Sequence, residues 1–142
     1  MCIFCRIATG ELPASVVYDD EFTIAFLDIQ PITQGHVLVI PKNHADSLET
    51  LSPEDACRVM QVSQMLSNAL RVSDLRCEGV NLFLADGATA GQEVDHVNMH
   101  VIPRYPEDGA DNLFITGPKQ QPNRDRLDDD ARKIKEAIKK IR

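Results

Sequence analysis

A single domain mixing strands with helices is what this 142-residue sequence predicts, and three observations predict it. Five short β-rich runs are set apart by turn residues. Two longer stretches carry apolar residues at helical spacing. No internal repeat or low-complexity tract divides the chain into modules. A domain of this length can bury roughly two-thirds of its unfolded surface, enough for a core without staples.

The elements follow in order. Val16–Tyr18 and Phe22–Leu27 read as strands joined through Asp19-Asp20 as a hairpin. Asp28-Ile29-Gln30-Pro31 breaks the pattern. Gly35–Ile40 (GHVLVI) is the third strand, closed by Pro41, which has no N–H for a ladder. At Ser52-Pro53-Glu54-Asp55 a helix starts: Ser52 caps, Pro53 suits the first helical position, and Asp55 can return the cap. It runs to about Val72, with Ala56, Val59, Met60, Leu66, Ala69 and Leu70 as its inner stripe. Val80–Ala85 is the fourth strand. Asp86-Gly87 turns the chain, Ala88–Gln92 is a small-residue loop, and Asp95–Ile102 is the fifth strand. Residues 105–126, rich in Pro, Gly, Asp and Asn, show no sustained period and read as loop. A last helix starts at about Leu127, where Leu127, Ala131, Ile134, Ile138 and Ile141 form one seam. Asp128–Asp130 at its head and Lys139–Arg142 at its tail complement the helix dipole. The seam packs on the same domain or on a twin subunit.

Composition narrows the functions. The apolar fraction is 43% and the charged fraction 26%, the balance of a water-soluble globular protein. A net charge of −7 argues against a duplex nucleic-acid partner, because no basic face is present to meet phosphates. Small anions remain eligible. No stretch nears the ~20 apolar residues that cross a bilayer, so no membrane partner is expected. MCIFCRIATG lacks the basic-then-apolar order of a secretory signal, so the expected location is cytoplasmic, with reduced thiols. Four cysteines there point to metal or packing rather than disulfides, and Cys57 and Cys77 read as small buried hydrophobes.

The chemistry concentrates in DHVNMHVIP, residues 95–103. Alternate residues of a strand share a face, which would set His96, Asn98 and His100 together at steps of about 7 Å. Val97, Met99 and Val101 would take the other face. A merely solvated face calls for Lys, Thr or Glu more readily than for two of the chain's four histidines. Upstream, Gly91 would let backbone N–H groups approach an anion, and Gln92 could donate to it.

GQEVDHVNMHVIPR, residues 91–104, resembles the motif of the histidine triad (HIT) superfamily, in which three histidines are separated by single hydrophobic residues. Four more segments agree in order: Cys2-Ile3-Phe4-Cys5; Glu11-Leu12-Pro13; Phe26-Leu27-Asp28 with Pro31; and Gly35-His36-Val37-Leu38-Val39-Ile40-Pro41-Lys42 with His44. The resemblance covers residues 2–104, the HIT core, and leaves residues 105–142 as a loop and helix of the same domain. It implies an α+β fold with a five-stranded antiparallel sheet and two main helices, paired as a homodimer. It also implies a nucleotide ligand such as AMP, ADP or a dinucleoside polyphosphate.

In that family the middle histidine attacks an α-phosphate, and water cleaves the nucleotidyl-histidine. Asn98 stands at that position here. A neutral imidazole has a basic lone pair that can attack phosphorus and later leave, whereas an amide nitrogen's lone pair is lost to resonance. The resemblance therefore implies a nucleotide hydrolase or transferase, acting on phosphoramidates or dinucleoside polyphosphates, whose activity is strongly reduced in this copy. Two origins fit Asn98: a substitution introduced to trap a nucleotide, or a natural member that only binds. The intact surroundings favour the first.

By the same resemblance, His100 and His36 flank the phosphate, Gln92 holds a phosphate oxygen beside Gly91, and Asp28 accepts from ribose hydroxyls. Ile3, Phe4, Phe26 and Ile29 form an apolar slot for the base, against the plainer reading of core packing. Ala85 stands where many relatives carry an asparagine. Cys2-x-x-Cys5 is short-range metal-ligand spacing. Several bacterial members use two such cysteines with two histidines, which implies a structural zinc on Cys2, Cys5, His44 and His96. Two alternatives stand beside the enzyme reading: a non-catalytic nucleotide-binding module, and a zinc-stabilised protein-interaction domain.

Overall fold

The computed structural model describes residues 2–110 and 120–142. Its elements are α1 (Ile3–Ala8), β1 (Val16–Asp19), β2 (Thr23–Leu27), β3 (Val37–Pro41), α2 (Pro53–Val72), β4 (Gly79–Phe83), β5 (Met99–Arg104) and α3 (Arg124–Ile141). A single 3-10 turn lies at Ala88–Ala90. The five strands form one antiparallel sheet in the order β1-β2-β3-β5-β4. The fold is the α+β arrangement expected, with three helices where two main ones were anticipated. The third, α1, is only six residues long, too short for an apolar period to show in the sequence. The Cys2 sulfur caps it, accepting from the Cys5 N–H at 3.4 Å.

Asp20 makes the β1–β2 turn. Its Oδ1 accepts from the N–H groups of Phe22 and Thr23, both at 2.8 Å, so the turn is held by a side chain standing in for backbone. In the middle of the sheet β2 and β3 are buried along their whole length. One face, with Ala25, Leu27, Val37, Val39 and Val101, packs on α2 and α3. The opposite face, with Ile24, Phe26, Leu38 and Ile40, is covered by Phe4 of α1. The sheet is thus an inner layer, as its nearly uninterrupted apolar runs require.

Several details differ from the sequence reading. The α2 stripe is rotated: Val59, Val62, Ser63, Leu66, Ala69 and Leu70 are buried, while Ala56 and Met60 face outward. Ser52 does cap, accepting from Asp55 N at 3.1 Å, but the Asp55 carboxylate goes to Arg58 and Asn43 instead of returning the cap. Cys57 is exposed, and only Cys77 is the buried hydrophobe foreseen for both. The last helix starts at Arg124, behind Asn123, whose side chain accepts from Arg126 N. Of the residues read as loop, 111–119 lie outside the described residues.

The fifth strand begins at Met99, not Asp95. Its approach is bent: His96 N donates to Val94 O at 2.8 Å and Val97 N to Ala45 O at 2.9 Å. His96, Val97 and Asn98 are all buried, so the polar–apolar alternation of this stretch marks two packed environments, not one wet face and one dry. From Met99 onward the strand lies between β3 and β4, with Leu38 opposite His100. No helix among the described residues is long and apolar enough to cross a membrane.

Gly35, just before β3, has φ +89°, and an added Cβ would lie 2.7 Å from Leu75 Cδ1 and 3.3 Å from Pro103 Cγ. Both the backbone and the space demand glycine. Gly35→Ala is expected to cost roughly 2–4 kcal/mol, read as a lower urea midpoint at unchanged slope.

Candidate functional site

Two side-chain clusters meet at residue 98, on the α1 side of the sheet. The first is Cys2, Cys5, His44 and His96. Phe4 brings the N-terminal pair there: its ring packs edge-on against Phe26 at 5.5 Å and against His96 at 6.0 Å. The Val97–Ala45 bond pins the 94–98 bend against the segment holding His44. His96 Nδ1 lies 3.4 Å from Cys2 Sγ, 3.6 Å from Cys5 Sγ and 3.1 Å from His44 Nδ1, and His44 Nδ1 lies 3.3 Å from Cys5 Sγ. Ligands on a tetrahedral zinc are about 3.3–3.8 Å apart, given bonds near 2.0–2.3 Å.

The outward ring nitrogens in this cluster also have partners: His96 Nε2 meets the Pro41 carbonyl at 2.8 Å, and His44 Nε2 meets Asp46 Oδ1. A carbonyl can only accept, so His96 carries its proton on Nε2 and turns a bare Nδ1 to the cluster. Burial pushes the imidazolium of His96 down from its ordinary value, which favours that neutral form. Burial and the adjoining Cys2 push the Cys5 thiol up. A bound dication is what reverses that direction, because thiolates are the ligating form. The donor set therefore fits zinc.

The second cluster is Asp28, His36 and His100. Ile32 N–H donates to His36 Nδ1 at 3.1 Å, and His36 Nε2 lies 2.8 Å from His100 Nδ1. A backbone N–H can only donate, so neutral His36 is protonated at Nε2 and passes that hydrogen to His100 Nδ1. Neutral His100 must then carry its own proton on Nε2. The same polarity disqualifies this cluster as a metal site, because Nε2 would have to lose the proton that the Ile32 bond places there. Asp28 Oδ2 is 3.7 Å from His36 Nε2, while its Oδ1 accepts from Gln30 N at 2.8 Å. Phe83, opposite His100 across β4, closes the far side with ring centroids 5.7 Å apart.

Between the clusters, Asn98 is buried and its Nδ2 donates to the His96 carbonyl at 2.8 Å. His96 thus touches the Cys/His cluster with its ring and residue 98 with its backbone.

The remaining expected residues are placed unevenly. Phe4 and Phe26 are core, whereas Ile3 and Ile29 are 48% and 60% exposed, so the proposed slot has a buried floor and open edges. The Gln92 carboxamide faces its own loop: Oε1 accepts from Gly87 N, and Nε2 donates to Asp46 O at 2.7 Å and Val94 O at 2.9 Å. Gly91 N and Gln92 N bond to Ala88 O and Gly87 O, so this pair shapes the loop instead of offering N–H groups to an anion. The sequence reading missed Asp46 and Phe83. A carboxylate two places after His44 was a local clue to Asp46. Phe83 had none, because only the β4–β5 pairing brings it to His100.

A five-stranded sheet of this order, with His36 at the head of β3 paired to His100 of β5 beside a Cys2His2 cluster, has the fold of HIT proteins. The chain belongs to that family: the HIT domain model matches residues 9–107. A HIT-like protein of Borreliella burgdorferi is 50% identical over 109 residues, covering 76% of this chain and 78% of that one. The adenosine 5'-monophosphoramidase HNT1 of Candida albicans is 35% identical, covering 99% and 93%. The crystal structure of a Zn-bound histidine triad family protein from Mycobacterium smegmatis is similar with a TM-score of 0.85 and 34% identity, covering 99% and 94%.

Asn98→Ala removes the donor to a buried carbonyl. It is expected to cost about 1–3 kcal/mol in equilibrium unfolding, while Asn98→His, able to donate through Nδ1–H, stays within about 1 kcal/mol of the parent.

Proposed function

We propose that the chain binds nucleoside phosphates where β5 meets the 94–98 bend, on the framework of a hydrolase or transferase acting at an α-phosphate. Asn98 leaves the covalent step strongly impaired in this copy. The observation that carries the reading is the Asn98 Nδ2 bond to the His96 carbonyl beside the His36–His100 pair. A histidine at 98 would donate Nδ1–H to the same carbonyl and turn a bare Nε2 toward the phosphate, the form a nucleophile needs. The carboxamide reproduces that anchor but offers no lone pair for attack.

In this reading each residue has a role. His100, protonated at Nε2, is a donor to phosphate or to the departing group, and His36 holds it in that tautomer. Asp28 accepts from ribose hydroxyls. Ile3, Phe4, Phe26 and Ile29 receive the base, and Gln92 with Gly91 shapes the loop above the phosphate. The ligand class is AMP, ADP, a nucleoside phosphoramidate or a dinucleoside polyphosphate. The Candida relative, named as a phosphoramidase over nearly the whole length, supports this class. Two copies pair as a homodimer, for which the outer edge of β4, unpaired among the described residues and with Leu82 39% exposed, offers a ladder.

Calorimetry with AMP on the parent chain is expected to show binding, and no binding sinks the reading. Asn98→His is expected to raise hydrolysis of adenosine phosphoramidate or diadenosine polyphosphates by roughly a thousandfold or more. Binding without turnover after that reversion leaves the second reading, a module that holds nucleotides without transforming them. Asn98 favours that reading directly.

Cys2, Cys5, His44 and His96 hold a structural zinc in this proposal, its chemistry limited to fastening the N-terminus to the 94–98 bend. Elemental analysis is expected to find one zinc per chain, lost in Cys5→Ser with a fall in melting temperature. A metal-free parent of unchanged stability refutes it.

A further inference from the structure

The turn that carries His36 is fastened from the far end of the chain. Thr33 Oγ1 donates to Pro103 O at the end of β5. Gln34 O accepts from the Tyr105 hydroxyl at 2.7 Å. Gln34 Nε2 donates to Asp130 Oδ1 at 2.8 Å, and Pro31 O accepts from Gln120 N at 3.0 Å. Burial pushes the Tyr105 phenol up from its ordinary value, so it stays a neutral donor. Asp130 is the anomaly. The charge pattern puts it in a solvated acidic block at the head of α3, yet it is 2% exposed. A buried carboxylate is costly unless it is hydrogen-bonded, and here the bond it accepts comes from the residue two places before His36.

We infer that Asp130 and Gln34 form a positioning latch through which α3 fixes the tautomer and aim of the His36–His100 pair. The path is short. Gly35, at φ +89°, lets the chain reverse tightly between the latch and His36. That reversal sets Ile32 N–H against His36 Nδ1, and the Ile32 bond decides which nitrogen of His36 bears the proton given to His100. Without the latch the turn keeps its other fastenings, but the Ile32 bond loosens and His36 samples both tautomers. Neither residue touches the nucleotide; both act through the ring of His36. The inference rests on the phosphate-side role assigned to His36 and His100 above.

The test reads imidazole nitrogens by NMR. The chain has four histidines, and His44 and His96 serve as internal controls, being in the other cluster. In the parent, His36 and His100 are expected to show the wide Nδ1–Nε2 separation of one fixed tautomer. In Gln34→Ala and in Asp130→Ala that separation is expected to collapse toward the value of a mixture, with His44 and His96 unmoved. Asp130→Asn, whose Oδ1 still accepts, should keep the parent pattern. Ile134→Val, which loosens α3 in the core without touching the latch, should keep it too.

Gln34 is only half-buried, so Gln34→Ala keeps the test decisive if Asp130→Ala does not fold. Parent-like His36 and His100 nitrogens in Gln34→Ala overturn the latch, and so does an equal collapse in Ile134→Val. The nitrogen pattern needs no nucleotide. Failure of the parent to bind AMP would therefore refute the functional reading and leave the latch standing.

Discussion

The structure around the site depends on one fully buried imidazole, that of His96. A buried ring with two polar nitrogens is tolerated only if each is used. Its Nε2–H is taken by the Pro41 carbonyl at the end of β3, its Nδ1 faces two cysteines and His44, and its own carbonyl takes the amide of Asn98. Helix α1, the β3 terminus and the entry to β5 are thereby fixed to one another through a single residue. Phe4 completes the arrangement by packing on the ring from the side. Any displacement of the N-terminal helix is felt at residue 98 through two bonds.

The second constraint is directional. Ile32 N–H cannot accept, and that fact propagates through His36 to fix the hydrogen on His100. Polarity thus reaches the site from a backbone group that is a donor whenever the turn holds it against His36. Asn98 is buried between His96 and His100 in the chain, and its Nδ2 bond goes to a backbone carbonyl, so its carboxamide is spent on holding the bend.

Much of this was legible in the sequence. The strands β1 to β4 and helix α2 announced themselves through apolar periodicity and turn residues, because local chemistry decides those elements. The Cys2-x-x-Cys5 spacing pointed to the first cluster, whereas Asp28 and His36 were tied to His100 only by the family resemblance, because 64 positions separate the two histidines. Other features were not legible. The bend at 94–98 looks like a strand because its alternation is genuine, and only the Val97–Ala45 bond shows that the alternation serves two different neighbours. Gln92 and Gly91 looked like anion donors because their hydrogens are chemically suitable, yet the loop consumes them. The burial of Asp130 was hidden by its acidic neighbours, and α1 by its length. For the bend and for Asp130 a contact distant in sequence overrode a sound local inference.

The placement of β5 between β3 and β4 has a consequence for how the protein is made. Cys2 meets a partner 94 positions away, His36 meets one 64 away, and His44 one 52 away. A ribosome delivers a chain from its N-terminal side, so both cysteines emerge well before His96, the ring that each of them meets. The first cluster cannot close until His96 has cleared the exit tunnel, nor the second until His100 has. During that interval the two thiols lack the His96 ring as a partner, and contacts of such span are the slow ones to form.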